Sequence, residues 1–154
     1  MVLASMIAQT ILLVAGGGAF FGLKLTATTE KWWLFVLLLI LGSANSTALG
    51  IAFSSVPKSG RGASAVVSPV VIILQFFSGV FFIFTQLPHW MQQVAALFPL
   101  KWLTQGMREV FLPDSFATQE VAKSWETGRG LLINGIWLVV GVALAIKTFK
   151  WDRD

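Results

Sequence analysis

The sequence predicts an all-α membrane protein with four transmembrane helices and a re-entrant helical hairpin between the third and the fourth. Long apolar segments without charge recur along its 154 residues, and one uncharged region is too long for a single crossing. Hydrophobic residues make up 56% of the chain and charged residues 12%, which is about half the charged share of a soluble domain. Lipid is therefore the expected solvent for most of a single domain that spans residues 1–154.

The overall composition excludes several classes of partner and site. The net charge of +4 does not indicate nucleic acid, because the Lys and Arg residues are scattered among apolar segments instead of forming one basic face. The chain has no cysteine, so disulfides and Cys-ligated metals are excluded. His89 is its single histidine and has no second metal ligand at helical spacing, so we expect it at the headgroup level beside Trp90.

The first two predicted spans cover residues 2–23 and 32–56. Neither contains Asp, Glu, Lys or Arg, and about 20 such residues in a helix cross the roughly 30 Å hydrocarbon core of a bilayer. Residues 24–31 between them are predicted to form a short polar connection. Trp32 and Trp33 open the second span, where aromatic side chains anchor a helix at the membrane interface.

The third span is predicted at residues 65–84. Residues 57–62 form a basic turn before it, and the Pro and Gly residues of that turn end the preceding helix. No Asp, Glu, Lys or Arg occurs from Gly62 to Leu100, and a region of almost 40 such residues exceeds one crossing and must be subdivided. Pro69 is expected to kink the helix, because proline removes a backbone donor and clashes with the preceding turn.

Residues 88–112 are predicted to form a helical hairpin that dips into the membrane without crossing it. Two apolar segments, 90–97 and 100–112, are each shorter than a span, and segments of about 10–14 residues are more often re-entrant or interfacial than crossing. Pro88 and Pro99 stand at the starts of the two segments. A helix tolerates proline there because its first N–H groups have no helical partner.

Residues 113–129 are predicted to be a solvated loop with a short helix, because acidic and basic residues alternate there. Residues 130–146 form the fourth span, and Trp151 with the basic residues around it anchors the end of that span. Four crossings place both termini on one side, together with the turn that carries Lys58 and Arg61. The basic residues on that side are concentrated in short flanks, so we expect both termini in the cytoplasm.

The stretch from Phe76 to Glu109 resembles the pattern near the end of ABC-2 type permeases, the transmembrane subunits of ATP-driven exporters. That pattern is an apolar helix ending in Ser-Gly-Val-Phe-Phe, a short break ending in Leu-Pro, an amphipathic turn and a Pro-containing segment that closes on an Arg. The matching elements in this chain are Ser78–Phe82, Leu87-Pro88, Trp90–Leu97 and Pro99–Arg108. The resemblance extends more loosely over the whole chain.

This resemblance implies a fold and a set of partners. The four spans correspond to the last four of the family's six, so we expect a chain truncated at its N-terminus and without the family's cytoplasmic coupling helix. The hairpin corresponds to the extracellular re-entrant helices that close the outer end of the translocation path. An ABC ATPase subunit with ATP and Mg is the expected partner, together with a second permease copy in a homodimer or heterodimer, in the plasma membrane.

No phosphate-binding loop of the GxxxxGK[ST] type occurs in the chain. Gly16, Gly17 and Gly18 lie inside an apolar span and are followed by no Gly-Lys-Ser/Thr sequence, so we expect them to serve close helix packing or flexibility. The sequence therefore predicts no cofactor and no enzymatic activity in this chain, and ATP hydrolysis is expected on the partner.

Pro88, Pro99, Lys101 and Arg108 are the candidate residues of a gate at the hairpin. Lys101 and Arg108 lie on one helix face, where they could face an aqueous vestibule, bind lipid phosphate or snorkel to the membrane rim. The acidic residues near them are spread along a polar stretch and are expected to be solvated surface. They are Glu109, Asp114, Glu120 and Glu126.

Several polar residues inside the spans are candidates either for interhelical hydrogen bonds or for a substrate path. A polar side chain in lipid must find a partner because no water competes, which favours packing while the path stays open as the alternative. The candidates are Ser43, Asn45, Ser46, Thr47, Gln75 and Asn134.

The predicted function is that of the permease subunit of an exporter, which moves a hydrophobic or amphiphilic molecule out of the cytoplasm or the inner leaflet. Such a substrate is favoured because the spans contain no dense charged pathway. The alternative is a non-transporting membrane scaffold or accessory subunit, in which the polar residues serve assembly alone. A membrane-embedded enzyme has the least support, because no nucleophile–base pair or metal cluster is apparent in the sequence.

Overall fold

The computed structural model describes residues 2–21, 28–54 and 60–148, and within these ranges the chain is helical with no strand. Two short 3-10 helices, Phe84–Gln86 and Asp114–Gln119, flank the predicted hairpin. The six α-helices are α1 (Val2–Phe21), α2 (Thr29–Ser54), α3 (Gly60–Phe77), α4 (His89–Ala95), α5 (Pro99–Phe111) and α6 (Thr127–Thr148). The predicted all-α class is confirmed.

Two of the described helices, α2 and α6, are long and apolar enough to cross a membrane. The helices α1 and α3 contain shorter apolar segments, Ile7–Phe20 and Ala65–Phe77. Two crossings are therefore supported by helix length and composition, and the full arrangement of four crossings with a re-entrant hairpin stays a prediction.

The helices α2 and α6 both begin earlier than the spans that were predicted at residues 32–56 and 130–146. Helix α2 begins at Thr29, three residues before the predicted start, and Glu30 lies in its first turn, where a negative charge is favourable beside the free N–H groups of a helix. Helix α6 begins at Thr127, also three residues early. Residues 24–27 of the polar connection, residues 57–59 of the basic turn, and Trp151 lie outside the described residues.

The third helix ends earlier than predicted, at Phe77 instead of residue 84. Gly79 has a φ of +78°, a backbone conformation that side chains with a Cβ rarely adopt. A Cβ built at this position would also lie only 3.1 Å from the Cβ of Phe84. The glycine therefore lets the chain turn out of α3, and residues 80–83 after it are not helical.

Helices α2, α5 and α6 pack together as a three-helix unit around a core of Phe35, Leu38 and Val110. Helix α5 runs antiparallel to α2, since Leu38 lies against Gly106 near the middle of α5 and Lys31 at the start of α2 contacts the end of α5. This packing places the charged helix α5 against two apolar helices.

Helix α6 runs parallel to α2. Asn45 of α2 bonds Asn134 of α6, and further along both helices Ala48 lies against Gly141. Two parallel neighbours in a membrane bundle must be joined by an odd number of crossings. The direction of α6 is therefore consistent with α3 as a returning span between them.

Candidate functional site at the hairpin

Helices α4 and α5 are joined by a turn, residues 96–98, and this turn, the tip of the predicted hairpin, is held against the middle of α6. The indole N–H of Trp102 donates to the carbonyl oxygen of Ala96 at 2.8 Å, which closes the turn between the two helices. The indole N–H of Trp137 in α6 donates to the carbonyl oxygen of Leu97 at 2.6 Å. The rings of Phe98 and Trp137 stack with centroids 5.8 Å apart, so the tip is fixed by both polar and aromatic contacts.

The two prolines of the predicted gate stand at the starts of the hairpin helices. Pro99 occupies the first turn of α5, and Pro88 is the residue immediately before α4. Neither position requires a proline N–H in a helical hydrogen bond. The predicted positions of both prolines are confirmed, whereas their part in a gate is proposed below.

Lys101 lies in the first turn of α5 and is only 4% exposed. Its Nζ atom is 3.4 Å from the centroid of the Trp102 ring and 5.2 Å from that of Phe84. A lysine cation over aromatic faces is stabilised by the ring quadrupoles when no carboxylate reaches it. Within the isolated chain, Lys101 is therefore packed under rings and does not extend to an exposed rim.

Arg108, two turns further along α5, forms an ion pair with Glu120 of the following loop. Its Nε donates to Glu120 Oε1 at 2.8 Å, and the two side chains are 27% and 10% exposed. The prediction that Glu120 is solvated surface is therefore wrong. The tertiary fold returns the loop onto α5, so that this carboxylate is covered.

Glu109 and Asp114 lie at the end of the three-helix unit where α2 and α6 begin. The hydroxyl of Thr127 donates to the Glu109 carboxylate at 2.7 and 2.8 Å, and burial raises the pKa of Glu109 despite this bond. Lys31 Nζ lies 2.8 Å from Asp114 Oδ1 and lowers the pKa of that exposed carboxyl. Asp114 is solvated as predicted, whereas Glu109 is half-buried because α6 begins beside it.

Two buried polar residues of this region, Gln105 and Ser78, and the half-buried Thr104 were not singled out as site candidates from the sequence. Gln105 donates from its amide to the carbonyl oxygen of Trp125, and the Thr104 hydroxyl donates to the carbonyl oxygen of Ser78 at 2.8 Å. Gln105 lies four residues after Lys101 on the same face of α5, which is the signal that could have identified it. Ser78 carried no such signal, because its burial depends on the turn after α3.

Asn45 and Asn134 form a polar contact between α2 and α6. The Asn45 amide donates to the carbonyl oxygen of Asn134 at 3.1 Å and lies 3.4 Å from its side-chain oxygen. The Asn134 amide donates to the carbonyl oxygen of Gly130 at 2.9 Å, and the side chain is fully buried. Asn45 and Asn134 thus make an interhelical hydrogen bond, and a place for them on a substrate path stays a prediction.

The other polar candidates of α2 lie on a different face of the helix. Ser46 and Thr47 are exposed, and with Ser43 they line an open groove of about 500 Å³. Gln75 is half-buried near the end of α3. These polar residues are neighbours in the sequence, but the helix places them on different faces. The amide of Asn45 packs against α6, and the hydroxyl groups of Ser46 and Thr47 lie on an exposed face.

Replacing Asn45 by alanine is expected to destabilise the protein by about 1–2 kcal/mol, because the backbone carbonyl of Asn134 loses its donor from α2 and a small cavity is left at a buried position. The midpoint of thermal unfolding in a fixed detergent should fall accordingly. Ser46→Ala is the matched control on the exposed face of α2 and should change the midpoint little. Equal shifts for both variants would contradict an interhelical role for the Asn45 side chain.

A comparison with known protein families gives the same assignment as the sequence pattern between Phe76 and Glu109. The family model described as ABC-2 family transporter protein matches residues 1–147. No curated protein and no solved structure matches the chain. The matched region contains the three-helix unit and the hairpin between α3 and α6, and it includes the stretch from Phe76 to Glu109. The chain therefore belongs to the ABC-2 family of transporter proteins.

Proposed function

We propose that this chain is the permease part of an ATP-driven exporter, and the observation that carries the proposal is the family match over residues 1–147. The energy source is a partner ATPase that binds ATP and Mg. The substrate is a hydrophobic or amphiphilic molecule that leaves the cytoplasm or the inner leaflet. The apolar groove on α2 supports this substrate class, because only small hydroxyl groups interrupt its apolar lining.

The proposed topology has four crossings, both termini in the cytoplasm of a plasma-membrane protein, and the hairpin α4–α5 entering from the outside. The depth of the hairpin supports this topology. Its tip contacts Trp137, which lies about 15 Å along α6 from Thr127 at 1.5 Å per residue. That depth is about half of a 30 Å hydrocarbon core, as a re-entrant element requires.

The proposed gate is the hairpin itself, with Pro88 and Pro99 setting its bends and with Lys101 and Arg108 on α5. Both charged side chains are held by the chain's own aromatic or acidic groups. Movement of α5 would separate Lys101 from Phe84 and Arg108 from Glu120 together, since one short helix carries both charged side chains. The proposed path lies between these spans and those of a second permease copy, and the groove residues Ser43, Ser46 and Thr47 on α2, with Gln75 on α3, are its candidate polar lining.

The hairpin topology can be tested by labelling single cysteines, since the natural chain has none. Cysteines placed at Thr85 and Ser115, which are exposed on either side of the hairpin, should both react with a membrane-impermeant maleimide added outside intact cells. A cysteine at Leu97, at the tip, should react slowly or not at all. Labelling of Thr85 and Ser115 from opposite sides would show that the hairpin region crosses the membrane.

The transport function can be tested by purifying the affinity-tagged chain from its own cells in a mild detergent. A partner ATPase carrying a GxxxxGK[ST] loop should co-purify in constant ratio to the chain, and ATP hydrolysis by the complex should depend on that loop. An unrelated tagged membrane protein from the same cells provides the control. If the chain is recovered without an ATPase, the scaffold or accessory role replaces the exporter.

A further inference from the structure

A cavity of about 370 Å³ lies beside the hairpin, between the turn that follows α3, the outer half of α5 and the loop before α6. Its volume is in the range of sites that hold small molecules. One wall consists of residues 79–85, and α5 contributes Arg108 and Leu112. The loop contributes Phe116, Gln119, Glu120 and Trp125.

The cavity wall contains a charged donor that its own chain does not saturate. Arg108 uses Nε for the ion pair with Glu120, but its buried Nη2 has no acceptor among the residues that the structure describes. A buried donor without a partner costs free energy, and more so when the group is charged. Arg108 also lines the cavity and is 27% exposed, so a ligand oxygen in the cavity can approach its guanidinium group and form a charge-assisted hydrogen bond.

The charges in the wall restrict the kind of ligand that would fit. Arg108 and Glu120 are the ionisable residues that line the cavity, and their charges cancel. A purely anionic ligand would be repelled by Glu120, and a purely cationic one by Arg108. A zwitterion can place its anionic oxygen on Arg108 and its ammonium group near Glu120 and the aromatic rings, which attract cations.

The surroundings of the cavity are those of a membrane interface. Residues Val80, Phe81, Phe82 and Ile83 at one edge are 45–64% exposed, although all are apolar. The loop before α6 forms another part of the wall, and it carries the exposed charged residues Asp114 and Lys123 outside the cavity. An amphiphile with a polar head in the cavity could therefore lay its apolar chains over residues 80–83.

From these features we propose that the cavity binds the headgroup of a zwitterionic phospholipid, with the phosphate on Arg108, the ammonium between Glu120 and the aromatic wall, and the acyl chains over residues 80–83. Binding there does not require transport or ATP. The lipid fills the space between hairpin and loop, and Glu120 determines which headgroup is accepted.

The test measures bound lipid by native mass spectrometry of the purified chain in detergent. Equal concentrations of dioleoyl phosphatidylcholine and dioleoyl phosphatidylglycerol are added, which share a phosphate but differ in the terminal group. The wild-type chain should retain more phosphatidylcholine than phosphatidylglycerol. In Glu120→Gln the preference should shift about tenfold towards phosphatidylglycerol, because the ammonium loses its carboxylate and Arg108 becomes an uncompensated cation.

The Arg129–Glu126 pair supplies the matched control, since it lies outside the cavity and is mostly exposed on the arginine side. Glu126→Gln should leave the lipid preference unchanged. Phe116→Ala, which keeps the ion pair, should weaken phosphatidylcholine binding several-fold by removing part of the aromatic wall. This second variant tests the site even if Glu120→Gln folds poorly.

Three results would overturn the proposal. One is an unchanged lipid preference in Glu120→Gln and unchanged phosphatidylcholine binding in Phe116→Ala, as expected for lipid that merely surrounds the helices. Another is a shift in lipid preference in Glu126→Gln that is as large as the shift in Glu120→Gln. The last is full displacement of phosphatidylcholine by soluble glycerophosphocholine at the same concentration, which would show that the acyl chains and residues 80–83 contribute nothing.

Discussion

Replacing Gly106 by valine should force α5 away from α2 and destabilise the protein by about 3 kcal/mol, the upper range for overpacking of a filled core. A Cβ built at Gly106 would lie 2.7 and 3.1 Å from the two Cδ atoms of Leu38. Leu38 is itself buried in the core of the three-helix unit, so either its side chain must change rotamer or α5 must shift. The midpoint of thermal unfolding in a fixed detergent should fall far below that of the wild-type chain.

Gly135→Val in α6 is the matched control, because a Cβ at that position meets nothing within 4 Å. Its effect should be within about 1 kcal/mol of zero, since valine has a higher helix propensity than glycine. Combining Gly106→Val with Leu38→Ala should cost less than the sum of the single changes, because the shortened side chain makes room for the new one. Additive costs would show that α5 and α2 do not meet at these residues.

Replacing Arg108 by methionine should destabilise the protein by about 2–3 kcal/mol, because it leaves the Glu120 carboxylate covered and without its cation. That range is below the cost of breaking a fully buried pair, since Arg108 is 27% exposed. The loop that carries Glu120 should also detach from α5. Thermal unfolding measures the first effect, and faster proteolysis between residues 113 and 126 measures the second.

The double variant Arg108→Met with Glu120→Met should recover most of this loss, because replacing both members of a covered ion pair by apolar side chains removes the unpaired charge. Arg129→Met, which breaks the more exposed pair with Glu126, should cost less than about 1 kcal/mol. A double variant that is less stable than Arg108→Met would show that the pair contributes more than mutual neutralisation.

The positions of the two short helices α4 and α5 were predictable from the sequence, whereas their contact with α6 was not. Its two short helices were predicted from segment length and from the positions of Pro88 and Pro99, and α4 and α5 begin just after the first proline and at the second. Both features are local, since a proline fixes its own φ and removes its own N–H. The attachment of the tip to Trp137 was not predictable, because it joins residues forty positions apart.

The burial of the charged residues in the candidate site, by contrast, was not predictable from the sequence. Glu120 and Asp114 look alike in the sequence, as acidic residues of one polar loop. The structure covers Glu120 with Arg108 and leaves Asp114 exposed beside Lys31. Which carboxylate becomes part of a cavity depends on how the loop returns to α5, and no local pattern encodes that return.

The sequence by itself determined that this is an all-helical chain with apolar helices of membrane length and a short charged helix among them, because helix period, apolar length and proline positions are local properties. Only the tertiary structure decided where α3 ends, which polar residues of α2 are packed and which are exposed, and which charges meet around the cavity. Those features follow from contacts between segments far apart in the chain. Their free energies depend on burial and on partners, neither of which a single segment specifies.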